Sequence, residues 1–123
     1  MNYDLKLRLK SQDELTPKER KFFWDLANRF GRLTKVGGGP VDLILREIHE
    51  KNDDTGFVTY DGSRFEIVLD NRIPFGMLVD YLIHEFAHIG SWFVKENDDH
   101  GPMFGVEYAR LYREYLKLYE RTF

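Results

Sequence analysis

The segment over residues 74–89 constrains the fold most, because it must be a helix with two different faces. It contains the pattern His-Glu-x-x-His, whose histidines are His84 and His88. Residues four apart lie on one face of an α-helix, about one turn from each other. At about 100° per residue, the apolar side chains of the segment fall on the opposite face. These are Phe75, Leu78, Val79, Leu82, Phe86 and Ile89. Such a helix requires a packed layer behind it and an open cleft in front of it.

The strands that would form that layer are predicted from several segments. Residues 3–10 alternate apolar and charged side chains, and residues 41–48 and 64–70 each place apolar side chains on one face at a spacing of two. Residues 57–60 form a further short strand-like segment. Asp61-Gly62 separates this segment from residues 64–70, and this dipeptide is a strong hairpin signal. We therefore expect a mixed sheet of three to four strands.

Two further helices are predicted. Thr16-Pro17-Lys18-Glu19 combines a capping box with proline at the first helical position, which predicts a helix over residues 17–30 that ends at Gly31. Pro102 is expected to begin a last helix over residues 102–121. Its apolar and aromatic side chains at helical spacing would pack on the core. They are Phe104, Tyr108, Leu111, Tyr112, Tyr115 and Tyr119. Together the elements predict an α+β fold in a single domain over residues 1–123.

Composition narrows the possible chemistry. The 123 residues include four histidines and no cysteine, so disulfides and a thiol nucleophile are excluded and a metal must be held by His, Asp or Glu. The formal net charge is -3, which predicts no strong binding to nucleic acid or to an anionic membrane. The N-terminal alternation is not a signal peptide, and no apolar run is long enough to span a membrane. These features predict an intracellular, cytoplasmic protein.

A metal site is the main functional hypothesis. His84 and His88 are spaced to bind one ion, and Glu85 is placed to reach a water on it and act as general base. A catalytic zinc usually takes three protein ligands and keeps a fourth position for water. Downstream, His100 and Glu107 are the two candidates for the third ligand. The metzincin arrangement is excluded, because Val94 stands where it requires a histidine.

Two signatures in this order resemble those of the SprT-like (Spartan-type) zincin metallopeptidases. They are the pattern from His84 to His88 and the downstream His100-Gly101-Pro102-Met103-Phe104. Residues 41–121 are similar to a minimal zincin domain, whose sheet packs on an N-terminal helix and the motif helix while a C-terminal helix closes the site. The resemblance implies one zinc ion held by His84, His88 and His100, with Glu85 catalytic.

The resemblance also implies that an extended substrate adds to a strand beside the site, for which residues 64–70 are the candidate. Many members carry a cysteine zinc ribbon or DNA-binding tails. Neither appears in this sequence, so DNA-dependent proteolysis is not implied.

Several alternatives stay open. Glu107 has the spacing of the gluzincin third ligand without its usual neighbours, and it is the alternative ligand or an acceptor for a ligand histidine. Asp80, Asp98 and Asp99 are further candidate acceptors. Tyr81, Tyr108 and Tyr112 are candidate hydrogen-bond donors to an oxyanion, and His49 is expected at the surface.

The expected function is a zinc-dependent peptidase acting on a protein or peptide. The alternative is a catalytically inactive zincin-fold binding module with a structural zinc. A nucleic-acid-binding accessory role is disfavoured by the acidic charge. Nothing in the sequence indicates an oligomeric state.

Overall fold

A computed structural model of the chain describes residues 15–34, 41–48, 55–94 and 100–123. It contains three helices, α1 (Pro17–Leu33), α2 (Phe75–Gly90) and α3 (Pro102–Thr122), and three strands, β1 (Val41–Arg46), β2 (Gly56–Tyr60) and β3 (Phe65–Asp70). The predicted α+β class is confirmed. The strand predicted at residues 3–10 lies outside the described residues, as do His49, Asp98 and Asp99.

The three strands form one mixed sheet in the order β1-β3-β2. β1 runs parallel to β3, and β2 runs antiparallel to it. The predicted hairpin joins β2 to β3, and Gly62 adopts φ 96°, a left-handed conformation that favours glycine. Asp61 stabilises this turn, because its Oδ1 accepts hydrogen bonds from the backbone N–H groups of Ser63 and Arg64.

The central position of β3 corrects one expectation. Residues 64–70 were expected to receive an added substrate strand, but β3 already pairs with β1 on one side and with β2 on the other. Both rows of its backbone hydrogen-bonding groups are therefore in use. Strand order depends on contacts between distant segments, so the alternation pattern of one strand cannot reveal it. Within the described residues, β2 is an edge strand.

One face of the sheet packs against α2. Alternate residues of β3, namely Phe65, Ile67 and Leu69, are fully buried on this face, as the alternation predicted. α2 buries more than the predicted apolar stripe, because α1 and α3 contact it as well as β2 and β3. Its buried residues are Leu78, Val79, Leu82, Ile83, Glu85, Phe86, Ala87 and Ile89. Phe75, which was assigned to the stripe, is only partly buried.

The two outer helices begin where the sequence predicted. Thr16 and Glu19 form the capping box of α1, each side chain accepting the other's backbone N–H. Gly31 was expected to end this helix, but α1 continues to Leu33, and the N–H of Thr34 donates to Phe30 O. None of the described helices is both long and apolar enough to cross a membrane.

α3 starts at Pro102 and lies across α1 and α2. Only Leu111 of its apolar side chains is fully buried, whereas Phe104, Tyr108 and Tyr115 pack on the core with part of their surface exposed. Arg29 of α1 and Glu114 of α3 form an ion pair at 3.0 Å. The aromatic face of α3 is thus a half-buried layer over the core, with its N-terminal end beside the motif helix.

The buried carboxylate of Asp70 lies at the end of β3, near the start of α2. Arg72 Nε donates to Asp70 Oδ1 at 2.8 Å, and its Nη2 donates to Asp70 Oδ2 at 2.6 Å, which makes a bidentate pair. Burial alone would raise the pKa of Asp70, but hydrogen bonds from Arg72 and from the Ile48 backbone outweigh it and lower the pKa below its usual value. The N–H of Ile48 also donates to Asp70 Oδ2, which connects the end of β3 to the segment that follows β1.

Candidate metal centre

Two of the candidate ligands stand one turn apart on α2. His88 Nε2 lies 3.1 Å from His84 Nε2, and the two ring centroids are 4.7 Å apart. Both side chains are partly buried. The i, i+4 spacing places them on one side of the helix, and its apolar residues hold the opposite side against the sheet. The two imidazoles therefore present their donor atoms to the same point.

The third histidine comes from the start of α3. His100 Nε2 lies 3.3 Å from His84 Nε2, and the donor atoms of His84, His88 and His100 all lie within 4.8 Å of one another. Gly101 is the N-cap of α3 and Pro102 its first residue. This sharp helix start carries His100 to the face of α2 that bears the other two imidazoles.

The separations fit a single bound ion. Zinc–nitrogen bonds of about 2.0–2.1 Å at tetrahedral angles place two ligand nitrogens about 3.3 Å apart. The two measured nitrogen–nitrogen distances are 3.1 Å and 3.3 Å. Imidazole suits zinc and several other divalent transition metals. The three histidines could therefore hold a metal ion, and their geometry alone does not select which one.

Glu107, the alternative third ligand, is engaged elsewhere. Its Oε1 accepts a hydrogen bond from Arg110 Nη2 at 2.7 Å. The same side chain lies over Gly90 at the end of α2, so closely that a Cβ atom on Gly90 would collide with its carboxylate. Among the described residues, the donor atoms that converge are those of the three histidines.

Glu85 is buried between α2 and the sheet. It is 5% exposed, and its carboxylate lies near β2, since a Cβ atom built on Gly56 would be 3.6 Å from Glu85 Oε2. That same Cβ atom would be only 2.6 Å from Leu69 Cδ2, so a side chain at position 56 would have to displace Leu69, whereas its distance from the Glu85 carboxylate is an ordinary van der Waals contact. The sequence analysis did not single out Gly56, because nothing local distinguishes it from a turn glycine.

The hydrogen-bond pattern of the β2–β3 ladder identifies the backbone groups on the open edge of β2. Asp61 N–H donates to Arg64 O at 3.3 Å, and Asp70 N–H donates to Thr55 O at 2.8 Å. In an antiparallel pair, opposite residues alternate between hydrogen-bonded and non-hydrogen-bonded pairs. With the observed register, the residues whose N–H and C=O groups face away from β3 are Gly56, Val58 and Tyr60. This open edge begins beside Glu85.

The candidate oxyanion donors and Asp80 lie along α2 and α3. Burial, together with the negative charge of Asp80 and the neighbouring Tyr112, raises the pKa of Tyr108. Its phenol therefore keeps its proton at neutral pH and remains a hydrogen-bond donor. The ring of Tyr108 is 6.0 Å from that of Phe104, while Tyr112 is largely exposed.

Phe104 contacts all three histidines, although the sequence predicted it as part of the aromatic face of α3 that packs on the core. Its ring centroid lies 5.1 Å from that of His84, 4.7 Å from His88 and 4.8 Å from His100. The available signal was its place in the segment His100-Gly101-Pro102-Met103-Phe104, four residues after the third histidine.

Comparison with protein-family models finds no match to this chain, and a search of curated proteins also finds none. The function has to be argued from the site.

Proposed function

We propose that this chain is a zinc-dependent peptidase of the SprT-like zincin type that acts on protein or peptide substrates. The observation that carries the proposal is the convergence of three imidazole donors from α2 and the start of α3, with a buried carboxylate at the position next to the first of them. A water-activating metal and an adjacent general base are the two components that this type of hydrolysis requires. The two sequence signatures that carry these residues support the same assignment.

The chemistry divides among four residues. Zinc held by His84, His88 and His100 would lower the pKa of a water molecule and polarise the substrate carbonyl. Glu85 accepts a proton as the oxygen of the attacking water bonds to the carbonyl carbon. The same carboxyl group then gives that proton to the amine nitrogen as the carbon–nitrogen bond breaks. One water is consumed: its oxygen and one proton complete the new carboxyl group and its other proton reaches the amine. The carboxyl group then loses its proton at neutral pH.

The open edge of β2 is the proposed place for the substrate backbone. Backbone groups of Gly56 and Val58 point away from β3, and Gly56 lies beside the general base. An extended segment that added there would hydrogen-bond through its main chain and pass next to Glu85. This edge replaces residues 64–70, which cannot accept another strand.

Metal content and hydrolysis, measured together, test the proposal. Purified protein should contain one zinc per chain and cleave a denatured protein substrate. Glu85→Gln should keep the metal and lower the cleavage rate by about 100- to 10,000-fold, the usual contribution of a general base. Glu107→Gln, the matched control, should change neither the zinc content nor the cleavage rate. Protein purified without chelators that contains no metal, and whose stability a chelator does not alter, would overturn the proposal.

A structural role for the metal is the second candidate. The three histidines connect α2 to the start of α3, so a bound ion would join two helices across a surface that is otherwise partly exposed. A binding module of this kind would show metal-dependent stability and no hydrolysis of any denatured protein. The Glu85→Gln comparison separates the two, because only the peptidase has an activity to lose.

A further inference from the structure

Four aromatic rings stand at nearly equal distances around the candidate metal centre. The three imidazole centroids are 4.7 to 5.1 Å apart in pairs. The Phe104 centroid lies 4.7 to 5.1 Å from each of them. Phe104 is therefore in direct contact with every proposed ligand, whereas the other α3 rings contact one another or the core.

The position of Phe104 in the chain explains this shared contact. It lies in the first turn of α3, just after Pro102 fixes the start of the helix. His100 reaches it from the same helix start, and His84 and His88 reach it from α2. The Phe104 side chain therefore lies where the start of α3 contacts α2.

We propose that Phe104 is a positioning residue that sets the metal affinity of the three histidines. A histidine side chain without packing partners occupies several rotamers, and binding one ion requires all three imidazoles to converge at once. A rigid ring that touches all three restricts those rotamers before the ion arrives. It also covers one side of the cluster with apolar surface, which limits access of water.

The magnitude follows from other outer neighbours of metal ligands, whose replacement costs about 10- to 100-fold in metal affinity. Phe104→Leu removes the planar ring but keeps apolar volume, so zinc affinity should fall by about tenfold or more. Phe104→Trp keeps an aromatic plane and should bind within about threefold of wild type. The inference rests on the metal site of the proposed function and is independent of hydrolysis.

The test is a competitive zinc titration of the full chain against a chromophoric chelator. Tyr115→Leu is the matched control, because Tyr115 is a partly buried ring of the same helix whose ring contacts are with Phe22, Tyr112 and Tyr119. Far-ultraviolet circular dichroism and a melting curve of each metal-free variant establish that it is folded. If Phe104→Leu does not fold, Phe104→Met replaces it, since methionine fills the space without a fixed plane.

The outcomes are distinct. Weaker binding in Phe104→Leu or Phe104→Met, with Phe104→Trp and Tyr115→Leu near wild type, supports the positioning role. Wild-type affinity in the Leu or Met variant overturns it and leaves the proposed peptidase intact. An equal loss in Tyr115→Leu also overturns it, because helix packing in general would then be responsible. A wild-type chain that binds no zinc overturns both this inference and the proposed function.

Discussion

At the scale of single residues, the close contact between β2 and the core at Gly56 leaves little room for a side chain. Gly56 lies where a methyl group would meet the end of Leu69 at 2.6 Å and approach the Glu85 carboxylate. Leu69 is fully buried, so its side chain has little room to move away. A close contact between the β2 backbone and the core therefore lies beside the proposed general base.

Gly56→Ala should therefore destabilise the fold by about 1–3 kcal/mol, the usual cost of overpacking a core. Gly76→Ala is the control, because a methyl group at that helical position meets nothing within 4 Å and alanine is the better helix former. Urea unfolding of both variants measures the difference. Equal free energies of unfolding for the two variants would contradict the prediction, because they would show that the Leu69 side chain moves aside at no cost.

The third ligand is also decided by single residues. His100→Ala should lower zinc affinity strongly because it removes one of the three converging donors. Glu107→Ala should leave zinc affinity near that of wild type, since its carboxylate is paired with Arg110 and lies over Gly90. Isothermal titration with zinc measures both. Loss of binding in Glu107→Ala alone would reverse the ligand assignment.

Asp70 gives a prediction about pH. Its folded-state pKa is lowered from 3.8, so its contribution is complete above that value and is lost as the pH falls through the lower, folded-state pKa. Asp70→Asn removes the charge of one of the two carboxylates that pair with Arg72, the other being Glu47, and should cost about 1.5–3 kcal/mol at pH 7. Urea unfolding at pH 7 and at pH 3 should show a smaller difference from wild type at the lower pH. If the difference in unfolding free energy between Asp70→Asn and wild type were the same at both pH values, the charge of Asp70 would not contribute to stability.

At the scale of elements, local sequence signals predicted the positions of helices and strands along the chain better than they predicted how these elements pack together. The capping box at Thr16 and the Asp61-Gly62 turn were confirmed, because each depends on residues within one turn of the chain. Gly31 failed as a helix end, because α1 continues to Leu33 and the N–H of the buried Thr34 donates to Phe30 O beyond the glycine. The central place of β3 could not be read locally, because it is set by pairing with β1 and β2.

The open edge of β2 leads to a prediction at this scale. Val58 points its N–H away from β3, so Val58→Pro removes one edge donor and leaves the ladder to β3 complete. The protein should still fold, and cleavage of a denatured protein should fall. Thr59→Pro is the matched control, because it removes an N–H that faces β3 and should destabilise the fold itself. Full cleavage activity in a folded Val58→Pro variant would contradict substrate binding at this edge.

At the scale of the whole molecule, the candidate metal centre joins parts of the chain that are distant in sequence. His84 and His88 could be predicted as a pair from the i, i+4 spacing. His100 could be favoured as the third ligand only through the family resemblance, because spacing alone left Glu107 open. The contacts of Phe104, Gly56 and Glu107 could not be predicted, because they depend on how α3 and β2 pack against α2.

Metal binding should consequently stabilise the whole fold. An ion that binds only the folded chain adds about 2.7 kcal/mol at a free concentration 100 times its Kd. Zinc should raise the melting temperature, and a chelator should reverse the rise. His100→Ala should abolish the effect without lowering the melting temperature of the metal-free protein to a comparable extent. A melting temperature indifferent to zinc would mean that the site is not formed in the native state.

The outer edge of β2, which pairs with no other strand in the part of the chain that the structure describes, has a consequence for what the proposed enzyme would digest. Backbone N–H and C=O groups are the same in every sequence, so an edge that binds through them distinguishes substrates by whether those groups are free. In a native protein they are already paired, and a segment becomes available only when it opens locally. Cleavage of a native substrate would then follow the free energy of that opening. The cleavage sites in a substrate would coincide with the regions that open most readily and would show no preference for a particular amino acid.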